Sequence, residues 1–241
     1  MTIDNITSVR LASSARQGRT FADRSAENTD TIRAFISEAS FSCVGAKSAL
    51  NKGRMRFGNF GRLGDPGEAG KLCDALSAFS DEFPAPGTAP VSFVALFESE
   101  DTKEQDFERQ LWQQLQAMHD VDSARGLGWD PMVSDDPNHE EFSFSCGGRA
   151  FFVVGLHPRA SRLARRAPLP CLVFNFHDQF EQLKASGKYQ SMQQAIRARE
   201  LTLQGSINPV LSRFGESSEA RQYSGRAVED GWQCPFRTRS N

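Results

Sequence analysis

Histidine, tryptophan and tyrosine are scarce in this 241-residue chain, at 4, 3 and 2 residues. So few imidazoles leave a short list for acid–base work or metal ligation, and each is weighed by name below. Cysteine is sparse as well: Cys43, Cys73, Cys146, Cys171 and Cys234 are odd in number, widely spaced and form no C-x-x-C pair. That argues against a disulfide framework or a zinc ribbon and for reduced thiols. No apolar run approaches the roughly 20 residues of a membrane span. The polar first 30 residues lack the apolar stretch of a signal peptide, which points to the cytoplasm. An excess of one charge is missing too. Lys plus Arg total 28 against 30 Asp plus Glu, a net charge of −2, so neither nucleic acid nor an anionic membrane is the expected partner.

Several catalytic signatures are absent. Gly45-Ala46-Lys47-Ser48 resembles the end of a phosphate-binding loop but fails, because Ala46 separates Gly from Lys and Ser40 stands where the first Gly belongs. There is no G-x-G-x-x-G after a strand, no G-x-S-x-G and no H-E-x-x-H. Nucleotide binding, serine hydrolysis and zincin chemistry lose their support.

Phenylalanine, by contrast, occurs 19 times, enough for a Phe-rich core or a flat apolar pocket. Residues 1–27 read as a flexible arm, 28–236 as a single domain and 237–241 as a tail. Ile32, Phe35 and Ile36 recur at helical spacing. Asp65-Pro66-Gly67-Glu68 starts a helix, with Asp as cap and Pro at its first position, and Leu72, Ala75, Leu76 and Phe79 form its stripe. Residues 91–97 read as a buried strand, and a helix follows with Phe107, Leu111, Leu115 and Met118 on one face. Gly147-Gly148 is the turn of a hairpin over about 141–156. Another strand covers 172–176, and helices cover 178–185 and 189–204, bounded by Gly187 and Gly205. Without a regular βαβ rhythm, the class is α+β with a small mixed or antiparallel sheet.

Among the histidines, His119 and His139 sit in polar surroundings and read as solvated. His157 ends an apolar strand, precedes Pro158 and is followed by Arg159, Arg162, Arg165 and Arg166. If Pro158 opens a helix, Arg159, Arg162 and Arg166 share a face. An imidazole at an apolar wall beside basic groups suits heme, with nitrogen on iron and guanidinium groups on the propionates. A core-edge histidine next to a solvated basic helix explains the same spacing. His177, at a strand-to-helix turn beside Asp178, is a second ligand, a proton donor or a structural residue, and Cys234 offers a thiolate. The densest polar stretch runs from Phe214 to Arg226 and includes Glu216, Glu219 and Arg221.

Phe41-Ser-Cys43-Val-Gly-Ala-Lys47, the run His157–Arg166, Phe174-Asn-Phe-His177-Asp-Gln-Phe180, Gly205-Ser-Ile-Asn-Pro209, Phe214–Gly225 and Trp232-Gln-Cys-Pro-Phe236 together resemble the YqcI/YcgG family. The likeness covers about residues 40–236. It implies a heme b-dependent N-oxygenase, similar to the guanidine N-hydroxylases of guanitoxin and cycloserine biosynthesis and to the azomycin-pathway enzyme acting on 2-aminoimidazole. The implied reaction oxidises a nitrogen of a guanidine-like or amine substrate with O₂ and electrons from an external donor, such as ferredoxin with its reductase. The resemblance makes His157 the axial ligand, with Cys234 and His177 competing for that place. With it, Arg159, Arg162 and Arg166 are expected at the cofactor, Arg221 at a propionate or a substrate carboxylate, Glu216 or Glu219 at the cationic substrate, and His177 is kept as a candidate for proton transfer. A non-catalytic heme-binding or redox-sensing protein is the alternative, and a metal-free hydrolase or transferase using the Glu/Arg/Gln loop is a third. A homodimer is compatible with all three.

Overall fold

The computed structural model describes residues 20–98, 102–208 and 218–239. Helix α1 (Phe21–Ser37) starts at a reciprocal cap: the Thr20 hydroxyl accepts from the Asp23 N–H, and the Asp23 carboxylate accepts from the Thr20 N–H. Residues 21–27, expected to belong to a flexible arm, are therefore helical; residues 1–19 lie outside the described residues. Helix α2 (Val44–Asn51) is capped by Cys43, whose sulfur accepts from the Ala46 N–H. Strand β1 (Met55–Asn59) follows. Helix α3 (Pro66–Glu82) begins as its sequence predicts, with the Asp65 carboxylate accepting from Gly67.

Strand β2 (Ser92–Leu96) is buried on both faces. Helix α4 (Glu104–Ala124) turns Phe107, Leu111, Leu115 and Met118 inward, the four residues of the expected stripe. Strands β3 (Phe144–Cys146) and β4 (Arg149–Leu156) form the expected hairpin, with Cys146 opposite Arg149. Its two-residue turn needs positive φ twice, and Gly147 and Gly148 supply +64° and +73°. Strand β5 (Cys171–Phe176), helix α5 (His177–Ala185), helix α6 (Lys188–Gln204) and the short helix α7 (Ala220–Tyr223) complete the elements.

The five strands form one mixed sheet in the order β1-β2-β5-β4-β3. Only β1 and β2 are parallel; the other pairings are antiparallel. The α+β class holds. The sheet is covered on both faces, which explains why β2 is apolar without alternation. Phe93 and Ala95 meet α3 and α4 in the larger core, whereas Val94 and Leu96 join Ile32, Ile36 and Ala49 of α1 and α2 in the smaller one.

Helix α4 lies close against β4 because Gly155 carries no side chain. A Cβ there would stand 2.8 Å from a ring carbon of Phe107, 2.9 Å from Leu111 and 2.9 Å from the Tyr223 carbonyl. Gly155→Ala is expected to destabilise the protein by about 1–3 kcal/mol, since helix and strand must separate to admit one methyl. Denaturant unfolding checks this; a midpoint equal to that of the parent would mean the contact relaxes freely.

Candidate functional site

His157 directly follows β4. Its N–H donates to the Arg165 carbonyl at 3.1 Å, and its own carbonyl accepts from Ala160 at 3.3 Å. These bonds fold the chain back in a loop, so the helix expected from Pro158 does not form; a single 3₁₀ turn, Leu163–Arg165, stands in its place. Arg159, Arg162 and Arg166 consequently do not share a helical face. Arg162 turns inward to a buried ion pair with Glu200 of α6 at 3.0 Å and also donates to Ser206. Arg165, which sequence spacing set apart, donates to the carbonyls of Gly155 and Gln222, and burial pushes its guanidinium down to about 10. Arg159 and Arg166 are exposed, the latter donating to the Ala160 carbonyl.

The His157 ring is 1 % exposed and stacks on Phe107 with centroids 4.3 Å apart and planes 19° from parallel. Neither Nδ1 nor Nε2 has a hydrogen-bond partner among the described residues. A buried imidazole ordinarily satisfies at least one nitrogen. Burial pushes its pKa down, partly offset by the charge of Glu104, so the ring is neutral and its lone pair is free to ligate.

A second constellation lies at the other end of β4. Glu219, just before α7, is 2 % exposed. Its Oε2 accepts from the hydroxyls of Ser143 at 3.0 Å and Tyr223 at 3.1 Å, and the Tyr223 oxygen accepts in turn from the Phe144 N–H. Oε1 has no hydrogen-bond partner among the described residues and lies 3.8 Å from Nδ1 of His177, the first residue of α5. Burial pushes the Glu219 carboxyl up to about 8, against the pull of its two hydroxyl donors. Burial pushes the His177 imidazole down. Glu219 and His177 line a cavity of about 620 Å³ together with Asp130, Glu141, Arg149 and Asp178.

These two places are far apart. His177 follows Phe176, which pairs with Phe151, and His157 lies six residue steps along the chain from Phe151. At about 3.3 Å per residue that is roughly 20 Å. One substrate atom cannot meet both His157 and the Glu219–His177 pair.

The remaining expected residues scatter. Arg221 donates to the carbonyls of Trp232 and Glu229 and lies over the Trp232 ring. Cys234 is 1 % exposed within the larger core, and burial pushes its thiol up to about 12, which disfavours a thiolate. Glu216 lies outside the described residues. His119, expected to be solvated, is buried beside Trp129 and Phe236 and accepts from the Arg239 N–H, because the chain end folds back over α4. His139 stays exposed, its Nδ1 accepting from Glu141. Cys73, Asp122 and Cys146 place potential ligand atoms within 4.8 Å of one another in the core, where Asp122 accepts from the hairpin-turn Gly147 N–H. Sequence spacing missed Ser143 and Tyr223 as partners of Glu219. Their only signal was that both lie in polar stretches bordering apolar ones.

A family model described as the YqcI/YcgG family matches residues 32–237, most of the chain. No curated protein and no solved structure matches it.

Proposed function

We propose that this chain, which belongs to the YqcI/YcgG family, is a heme-dependent N-oxygenase acting on a guanidine-like or amine nitrogen. The observation that carries the reading is His157, a neutral imidazole 1 % exposed with neither ring nitrogen partnered among the described residues. Such an imidazole would fit as a ligand to heme iron, since a metal bond would satisfy one nitrogen left without a partner among the described residues. When bound, heme supplies the activation of O₂, with electrons from an external reductase. The chain's own part is to hold the imidazole fixed and neutral. Phe107 stacks against it, and the backbone bonds to Arg165 and Ala160 pin its loop. Arg159 and Arg166 are the arginines at this end that would meet propionates; Arg162 is committed to Glu200. Glu219 is too distant to hold a substrate at this place, so the substrate carboxylate must come from another residue.

The test begins with hemin titration of the purified protein. Stoichiometric binding with an intense Soret band is expected, and His157→Ala should lose most of it, whereas His177→Ala and Cys234→Ser should keep it. A full, unshifted band in His157→Ala would overturn the assignment. Loaded protein with a reductase should then consume O₂ and yield N-oxidised product from arginine, another guanidine or 2-aminoimidazole. Bound heme with no product from any of these would favour heme sensing over turnover.

A further inference from the structure

We propose that the cavity floored by Glu219 is a binding site for an aliphatic diammonium cation, separate from the His157 end of the sheet. The floor carries the primary evidence. Glu219 is 2 % exposed, lines the cavity and has an Oε1 without a hydrogen-bond partner among the described residues, the kind of buried acceptor that folded proteins ordinarily satisfy. Its other oxygen is held by Ser143 and Tyr223, so the carboxylate is fixed with one face toward the cavity.

The walls decide the sign of the ligand. Arg149 is paired with Asp178 at 3.2 Å, bonded to the Phe83 carbonyl and laid 3.7 Å over the Phe176 ring. Lys184 is paired with Glu181 at 3.3 Å. The cations on the walls are thus already neutralised. Asp130 spends its oxygens on the N–H groups of Met132 and Ala150. His177 is kept neutral by burial and adds no positive charge. What remains is Glu219 at the floor and the exposed Glu140 and Glu141 at the rim, neither of which joins an ion pair among the described residues. An anion has nothing to meet there.

Among the described residues, the floor offers a divalent metal one carboxylate oxygen and one imidazole nitrogen, 3.8 Å apart, short of the three protein ligands of a typical site. A single ammonium would satisfy the floor and leave the rim idle. Two ammonium groups on one flexible chain can engage both, and a cavity of about 620 Å³ readily holds such a molecule.

Binding must remove the proton that burial keeps on Glu219, because only the carboxylate makes the charge-assisted bond. The charged and titratable groups around that carboxyl are His177, Asp178, Glu181 and Lys184 from α5, Arg149 from β4, Tyr223 from α7, and Asp130, Glu140 and Glu141 from the loops before β3. Tyr223, whose own pKa is raised well above its usual value, stays protonated. Glu219 is therefore the group that titrates on binding.

The experiment is calorimetric titration of the full chain with putrescine, with methylammonium as the single-charge control. Putrescine should bind with release of about one proton at neutral pH, and roughly tenfold more tightly near pH 8.5 than near pH 6.5. Glu219→Gln, which keeps the side-chain shape, should lose at least tenfold near pH 8.5 and lose the pH dependence. The double variant Glu140→Gln/Glu141→Gln should weaken putrescine but not methylammonium. His157→Ala should bind putrescine normally, so this site stands or falls independently of heme. Putrescine binding equally to a folded Glu219→Gln, or no binding to the parent chain at millimolar concentration, overturns the proposal.

Discussion

Glu200→Ala is expected to destabilise the protein by about 3–5 kcal/mol, the cost of leaving a buried guanidinium without its anion. Arg162 and Glu200 have side chains only 7 % and 5 % exposed, and one hydrogen bond of 3.0 Å joins them. The pair is not fully satisfied, since Arg162 Nε and Glu200 Oε2 lack partners among the described residues. Partial satisfaction sharpens the expected result. Removing one member strands a charge, whereas removing both, as in Arg162→Met/Glu200→Leu, should cost much less, as apolar side chains fill the space. Denaturant midpoints for the two single variants and the double variant complete the cycle. The pair also joins α6 to the loop after His157, and Gln204 reinforces that joint by accepting from the Leu163 N–H at 2.7 Å. Single variants that remain as stable as the parent would show that Arg162 has another anion to meet, and would return it to the group that could hold propionates.

Arg162 also shows where sequence reasoning stopped. Elements set by local signals were legible: the Asp65-Pro66 start, the Gly147-Gly148 turn and the stripe Phe107, Leu111, Leu115 and Met118 all appear as their spacing predicts. Those signals act over a few residues, and periodicity or backbone demands fix them. Strand β1 and the parallel pairing of Met55–Asn59 with Ser92–Leu96 were not legible, because the partner is more than thirty residues away and Arg56 and Asn59 interrupt the apolar pattern. The first turns of α1 escaped for a related reason. Their sequence is polar, and they are held by a capping box and by the burial of Ile32 and Ile36 further along the helix. At the candidate site, the placement of His157 at a strand end could be read, but the paths of the arginines after it could not. Arg162 is directed by Glu200, 38 residues later, and Arg165 by the carbonyls of Gly155 and Gln222. Glu219 and His177 were both visible as candidates. They meet each other at 3.8 Å, and the antiparallel register of β4 and β5 puts His177 at the opposite end of the strand pair from His157.

Without ligand, stability should fall as pH rises from about 5 to about 9, and Glu219→Gln should remove much of that fall. Glu219 has an ordinary carboxyl pKa of 4.5 when exposed and about 8 when buried in the native state. Between those values the unfolded chain has released a proton that the folded chain still holds. Stability therefore declines with pH across that window, because the slope follows the difference in bound protons between the two states. Below 4.5 both states are protonated and the effect vanishes; above about 8 both are ionised and the loss is complete. At about 1.4 kcal/mol for each pH unit of the window, the loss is on the order of a few kcal/mol. The carboxamide of Gln carries no proton to lose and can still accept from Ser143 and Tyr223, so the variant should overtake the parent in alkaline solution. His177 works in the opposite direction and at lower pH, since its depressed pKa makes the folded state less stable when acid protonates the unfolded ring. Thermal or denaturant unfolding at a series of pH values, for parent, Glu219→Gln and His177→Gln, separates the two. If the parent and Glu219→Gln fall in parallel through pH 8, the buried carboxyl does not hold its proton, and the floor of the cavity is already an anion before any cation arrives.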